Sequence, residues 1–497
     1  MRKFVMAIDQ GTTSSKAFII NHEGEILGQS GYEFKQYYPK PGWVEHDPVE
    51  IWESQKSACR DVIAKTDIRP SEIEAIGITN QRETTIVWER DTGKPLTNAI
   101  VWQCRRTSDL CEELKKNGKE KSIREKTGLI IDAYFSGTKI QWILENIPEA
   151  FKKAENGDLC FGTIDSWLVY KLTGGKLHLT DFSNASRTML YNIHSLEWDP
   201  EILNWLGIPS SMLPVVRNSS EIYGQTIPEI FGGSSIPIAG IAGDQQAALF
   251  GQTCFKKGSV KNTYGTGCFI LANIGDKPIL SETGLITSVG WGLGNHVTYV
   301  LEGSVFIAGA AVQWLRDELG LIRNSGEVES LAKKVTDNGG VYFLPAFVGL
   351  GAPHWDMYAR GIICGITRGT NASHIARAVI ESMAYQTRDV IVCMERDSGY
   401  ELEQLRVDGG AAENNLLMQF QADILGIPVI RPKKLQTTAL GAGYLAGLAT
   451  GFWKGLEEIG QLGTQVEHFM PAMSEIERNE HCKTWQKVIE MAKLWGK

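Results

Sequence analysis

Near the N-terminus a short apolar run, residues 4–8, ends in a carboxylate, Asp9, and then in the polar stretch Gln10-Gly11-Thr12-Thr13-Ser14-Ser15-Lys16. The apolar pattern resumes over 17–20, Asn21-His22-Glu23-Gly24 is a turn signal, and a third run follows over 25–28. Short apolar runs separated by such turns predict strands folded back on one another, because each run hides its apolar face only against a neighbour. Residues 48–65 then place Ile51, Trp52, Gln55, Ala58, Cys59 and Val62 on one face of a helix. Another strand is expected over 73–78, ending in Thr79-Asn80-Gln81-Arg82-Glu83-Thr84-Thr85. Strands alternating with helices define an α/β class.

A similar passage recurs about half the chain later. Residues 236–242 are apolar and lead to Gly243-Asp244-Gln245-Gln246; residues 247–251 resume, and 258–263 lead to Tyr264-Gly265-Thr266-Gly267. Asp-Gln thus closes an apolar run at 9–10 and again at 244–245, in what reads as a repeated hairpin context. A duplicated α/β lobe is the expectation, with a ligand cleft between the copies. A length of 497 residues suits two large lobes.

Composition narrows the function. With 43% hydrophobic and 22% charged residues, the chain is neither disordered, collagen-like nor a coiled coil. Its net charge of −8 argues against nucleic acid as the main partner, since neutralising many phosphates needs a basic surface. No apolar run reaches the 18 or so residues that would span a bilayer, so no membrane insertion is expected. The nine Cys form no C-x-x-C pair and the nine His no H-x-x-x-H pair. A disulfide framework, a zinc ribbon and thioredoxin chemistry are therefore not expected, and a reduced, cytoplasmic protein is.

The chain has no G-x-x-x-x-G-K-[ST], no H-R-D or D-F-G set and no G-x-S-x-G, so it is not a P-loop enzyme, a protein kinase or an elbow hydrolase. What stands at the strand ends is a series of small, hydroxyl-rich turns. Gly11-Thr12-Thr13-Ser14, with Lys16 nearby, offers converging backbone N–H groups and hydroxyls that can wrap phosphate oxygens. Asp9 could hold Mg²⁺ directly or through water, because hard cations prefer oxygen ligands. A plain hairpin is the other reading of this turn. Tyr264-Gly265-Thr266-Gly267 and Asp408-Gly409-Gly410-Ala411 repeat the permissive backbone, and three such turns together favour a nucleotide.

Asp9-Gln10-Gly11-Thr12-Thr13-Ser14, Asp244-Gln245 and Tyr264-Gly265-Thr266-Gly267 together resemble the FGGY family of carbohydrate kinases. Two longer stretches are similar to the family's signatures: Tyr134-Phe-Ser-Gly-Thr-Lys139-Ile-Gln-Trp142-Ile-Leu-Glu-Asn146, and Gly361-Ile-Ile-Cys-Gly365-Ile with His374-Ile-Ala-Arg-Ala-Val-Ile-Glu381. Three more resemble the members that act on glycerol: Asn80-Gln-Arg82-Glu83-Thr-Thr85, Trp102-Gln-Cys-Arg-Arg106-Thr107 and Phe182-Ser-Asn-Ala-Ser-Arg187-Thr188. The resemblance runs from about residue 4 to residue 447. It implies two actin-like, ribonuclease H-like lobes with a catalytic cleft between them. Residues 1–250 would form a polyol-binding lobe with the first phosphate turn, and 251–497 a nucleotide-binding lobe with the second.

The resemblance also implies roles. ATP and Mg²⁺ would serve phosphorylation of glycerol, with a pentulose or other sugar as the alternative substrate and an actin- or chaperone-like ATPase as the rival from another class. Arg82, Glu83, Tyr134, Asp244 and Gln245 would bind the polyol, whose hydroxyls both donate and accept. Trp102 and Phe269 would supply apolar faces. Asp244 would be the general base. Thr12, Thr13, Ser14, Lys16 and Thr266 would hold phosphates. Many relatives carry Arg where Lys16 stands, and Lys lacks the bidentate fork. Gly309, Gln313, Gly410 and Asn414 would surround the adenosine, although 309–315 reads equally as ordinary helix packing. Asp9 and Asp244 would hold Mg²⁺, directly or through water. A homodimer or homotetramer is implied. Some bacterial members bind fructose 1,6-bisphosphate through a glycine-rich loop carrying Arg; the matching Phe231-Gly232-Gly233-Ser234-Ser235-Ile236-Pro237 has no basic residue, so little inhibition is expected.

Overall fold

The computed structural model describes residues 3–462 and 465–495. Its frame is two mixed sheets. The first contains β1 (Phe4–Gln10), β2 (Ser14–Ile20), β3 (Ile26–Glu33), β4 (Ile73–Asn80), β5 (Ser220–Gln225) and β6 (Pro237–Gly243), in the order β5-β6-β4-β1-β2-β3. The second contains β7 (Val260–Tyr264), β8 (Cys268–Gly275), β9 (Ile286–Leu293), β10 (His296–Val305), β11 (Leu405–Asp408), β12 (Val429–Pro432) and β13 (Val466–Phe469), in the order β9-β10-β8-β7-β11-β12-β13.

The two orders share one plan. β1 pairs antiparallel with β2 and parallel with β4, which lies parallel to β6. β7 likewise pairs antiparallel with β8 and parallel with β11, which lies parallel to β12. The fold is therefore the duplicated two-lobe α/β arrangement that the sequence implied.

The duplication is not the one that the two Asp-Gln pairs suggested. Residues 244–251 form a helix, α2 (Asp244–Gly251), rather than the second arm of a hairpin. By topology the counterpart of the β1–β2 turn is the β7–β8 turn, Gly265-Thr266-Gly267. Asp9-Gln10 and Asp244-Gln245 belong to the same lobe, at the ends of β1 and β6. The misreading has a physical source: Ala247-Ala248-Leu249-Phe250 is apolar on all sides because the helix is buried all round, so it shows no helical period.

The amphipathic helix is where it was expected. α1 (Pro48–Thr66) is capped by Asp47, whose side chain accepts from Val49 N, and buries Ile51, Trp52, Gln55, Ala58, Cys59 and Val62.

A third layer joins the lobes. α5 (Thr437–Thr450), which follows β12 as α2 follows β6, lies on α2 and on the first sheet. Glycine makes this approach possible: a Cβ on Gly441 would sit 1.8 Å from the Ala247 carbonyl oxygen, and one on Gly77 of β4 would sit 2.0 Å from that of Ala442. Val5, Ala7, Ala75, Ala239 and Ala442 share one core cluster with Leu271, Trp291 and Val300 of the second sheet.

Candidate active site

Parallel strands aim their carboxyl ends the same way, and open α/β sheets bind ligands there. β1, β4 and β6 end at Gln10, Asn80 and Gly243, so Asp9–Thr13, Gln81–Thr85 and Asp244-Gln245 gather on one rim. β7 and β11 end at Tyr264 and Asp408, bringing the Thr266 turn and Gly409-Gly410 together on the rim of the second lobe.

The residues expected to bind the polyol lie close to one another. Arg82 Nε lies 3.3 Å from Asp244 Oδ1 and 3.8 Å from Glu83 Oε1. Trp102 donates from Nε1 to Thr12 Oγ1 at 3.0 Å, tying its ring to the Gly11-Thr12-Thr13 turn, and meets Tyr134 edge-on at 5.6 Å. Gln81 braces that turn from below, its amide donating to Gln10 Oε1 and to the Gly11 carbonyl, both at 3.1 Å. Glu83 has φ 61, an uncommon conformation for a non-glycine residue. It is held by Ser136 Oγ and Thr85 Oγ1, which donate to its carbonyl, and by Arg187 Nε, which donates to its Oε1 at 2.6 Å.

Three charged residues that sequence reasoning did not assign complete this cluster. Glu302, on β10 of the second lobe, accepts from Arg82 Nη1 and Nη2 at 2.6 and 2.8 Å, and from Arg187 Nη2 at 3.3 Å. Arg187 also lies over the rings of Tyr134 and Phe135, at 5.4 and 5.3 Å. Lys261, on β7, donates to Gln245 Oε1 at 2.5 Å. Arg187 stood inside a quoted motif without a role. Both Glu302 and Lys261 are fully buried, but only Glu302, which follows Tyr299-Val300-Leu301, is a lone charge beside an apolar run that could have signalled it; Lys261 sits in the polar strand Val260-Lys261-Asn262-Thr263-Tyr264 and gave no such signal.

The electrostatics follow from this packing. Burial works to raise the Glu302 carboxyl, but Arg187 and Arg82 outweigh it and hold it down to about 2. Burial raises Glu83 and Asp244 above the usual carboxylate range; Arg187 and Arg82 oppose it at Glu83, and Arg82 and Lys261 at Asp244. Asp9 is pushed up to about 6 by burial and the nearby Asp244, with Lys16 opposing. Among the described residues no group of three or more His, Cys, Asp or Glu could hold a metal by itself. Two repelling carboxylates nevertheless fit Mg²⁺, which commonly takes one or two carboxylates and completes its shell with water and substrate phosphates.

The positions expected to hold the nucleotide divide. Thr13 and Thr266 are exposed and Thr12 half-buried on the two turns, with Ser14 half-buried and Lys16 exposed at the start of β2. α3 (Gly309–Asp317) starts directly on the second turn: Gly309 N donates to the Gly265 carbonyl at 3.0 Å, and a Cβ there would sit 2.6 Å from that oxygen. Gln313 is exposed one turn further on. Asn414 caps α4 (Asn415–Leu425), its Oδ1 accepting from Leu417 N at 3.0 Å, which leaves its amide NH₂ and one Oδ1 lone pair for a ligand. A Cβ on Gly410 would meet nothing within 4 Å; the tight position is Gly409, where φ is 87 and a Cβ would sit 2.4 Å from the Tyr264 carbonyl. His354, read as a loop residue, lies in a loop 3.6 Å from Asp389, among residues outside this cluster.

The chain belongs to the FGGY family of carbohydrate kinases: the family's N-terminal domain matches residues 4–251 and its C-terminal domain residues 260–450. Among its relatives are glycerol kinases that match over the full length. The glycerol kinase of Caldanaerobacter subterraneus subsp. tengcongensis is 61% identical over 496 residues, all of both chains, and glycerol kinase 2 of Thermotoga maritima is 60% identical over 495 residues, again all of both. The crystal structure of Plasmodium falciparum glycerol kinase with ADP superposes with a TM-score of 0.93 at 37% identity, covering 98% of each chain. The gluconate kinase of Lactobacillus acidophilus, at a TM-score of 0.88 and 24% identity over 99% and 98% of the two chains, shares the fold alone.

Proposed function

We propose that this enzyme transfers the γ-phosphoryl group of ATP to a primary hydroxyl of glycerol, giving sn-glycerol 3-phosphate. The observation that carries the reading is the juxtaposition of Arg82, Glu83, Tyr134, Asp244 and Gln245 at one rim, directly beside a hydroxyl-rich turn. Glycerol offers hydroxyls that each donate and accept. Arg82 supplies donors, Glu83 and Asp244 supply acceptors, and Trp102 and Phe269 cover the carbon chain.

Asp244 starts α2, where the helix dipole steadies its negative charge, and burial makes it a better base than a free carboxylate. It accepts the hydroxyl proton and aims the oxygen at phosphorus. Phosphoryl transfer passes through a loose transition state, so aiming matters at least as much as proton removal. The two turns, around Thr13 and Thr266, hold the phosphates. Mg²⁺, when bound by Asp9 and Asp244 with the nucleotide, would neutralise phosphate charge. A pentulose substrate is supported only by likeness of fold, and an assembly ATPase would have no use for the polyol set.

The test is product formation followed by phosphorus NMR. Glycerol and ATP should give one glycerol phosphate ester. Asp244→Asn should turn over more slowly by a factor on the order of 10²–10⁴ while still binding nucleotide. Turnover within a few-fold of the parent would remove Asp244 from the role of base.

A further inference from the structure

Lys261 has no exposed surface. An ammonium group is tolerated there only when each of its donors is matched. Besides Gln245 Oε1 at 2.5 Å, its Nζ donates to Thr263 Oγ1 at 2.8 Å and to the Phe269 carbonyl at 3.3 Å. Two of these three acceptors belong to residues of the polyol set. The contact with Gln245 also crosses between lobes, from β7 to α2, and β7 runs on into the second phosphate turn.

Amide chemistry gives this contact a direction. Gln245 has one accepting end and one donating end, and a protonated Lys can only donate. Oε1 therefore faces Lys261, and Nε2 is the end left for a ligand. The neighbouring Asp244 is acceptor-only when ionised, so two adjacent residues present opposite hydrogen-bonding characters to one substrate. Burial brings Lys261 down to about 8, with Asp408 and Asp244 favouring its charge, so the ammonium form still prevails at neutral pH.

We propose that Lys261 is a positioning residue of the polyol pocket: its ammonium fixes the Gln245 amide so that Nε2 donates to a non-reacting hydroxyl of the substrate, and it holds the Phe269 main chain beside it. The inference rests on the glycerol-phosphorylating reading above and adds how the pocket tells one hydroxyl pattern from another.

Lys261→Met keeps the unbranched apolar stem of the side chain and removes the ammonium. Steady-state kinetics would be run with glycerol, propane-1,2-diol and propane-1,3-diol, each diol lacking one hydroxyl. The KM for glycerol should rise about tenfold, as expected for one lost hydrogen bond of fixed geometry, with the KM for ATP nearly unchanged. Discrimination against one of the diols should shrink by the same factor. Gln245→Glu keeps an acceptor for Lys261 and removes the donor, so it should show the same rise. Unchanged glycerol KM and diol discrimination in Lys261→Met would overturn the proposal, as would equal rises in the KM values for glycerol and ATP. If that variant does not fold, a parental glycerol KM in Gln245→Glu overturns it. No glycerol turnover by the parent enzyme would instead defeat the underlying functional reading.

Discussion

Arg82 is the residue on which the site turns. Its guanidinium meets Glu302, Glu83, Asp244 and Gln246 with almost no exposed surface, and Arg187 shares two of those carboxylates. Breaking a buried pair leaves an uncompensated charge, which costs more than the pair contributes. Glu302 is held at about 2 against an ordinary 4.5, so its charge stabilises the fold above pH 4.5 and that contribution is lost as pH falls toward 2. Glu302→Gln should therefore lower the unfolding free energy by about 3 kcal/mol at pH 7, with the deficit shrinking by pH 3. Urea denaturation at the two pH values checks this; a deficit independent of pH would contradict it. The motif residues Arg82, Glu83 and Asp244 were legible because they stand at strand ends. Glu302 and Lys261 were not, because within a strand a single charge says nothing about which distant partner neutralises it.

At the level of elements, α2 and α5 carry the junction of the lobes, and they meet through glycine and alanine. A Cβ on Gly251 would sit 2.0 Å from the Thr437 carbonyl, and one on Gly441 1.8 Å from that of Ala247. Gly441→Ala should lower stability by roughly 1–3 kcal/mol, the usual cost of overpacking, despite the better helix propensity of alanine. Thermal unfolding checks it, and a raised midpoint would show that the helices can part without loss. The amphipathic α1 and the first hairpin were legible from their periods. α2 was not, because a helix buried on every side resembles any short apolar run. Contacts between distant segments were hidden for the same reason: Arg60 of α1 donates to the carbonyls of Glu229 and Ile230 beneath the glycine-rich turn at 232–233, placing a cation where that loop has none of its own.

Across the whole molecule, the Thr13 and Thr266 turns lie on different sheets, and on the function proposed above one triphosphate touches both. Closure should bring Thr13 and Thr266 to the same nucleotide and exclude water from the transfer. Small-angle scattering should show a smaller radius of gyration with glycerol and a non-hydrolysable nucleotide together than with neither. An unchanged radius would mean that the cleft is already closed when empty. The duplication itself was legible, but its register was not, since topology rather than dipeptide identity relates β1–β2 to β7–β8.

On the function proposed above, glycerol accepts the phosphoryl group in this cleft. ATP consumption measured across glycerol, xylulose, gluconate and a control without any acceptor tests it most directly. Turnover with glycerol is expected at a kcat/KM at least about a hundredfold above xylulose or gluconate, because unpaired buried polar groups reject substrates of the wrong hydroxyl pattern, with little ADP release in the control. Equal ADP release with and without glycerol, or a preference for xylulose, would contradict it.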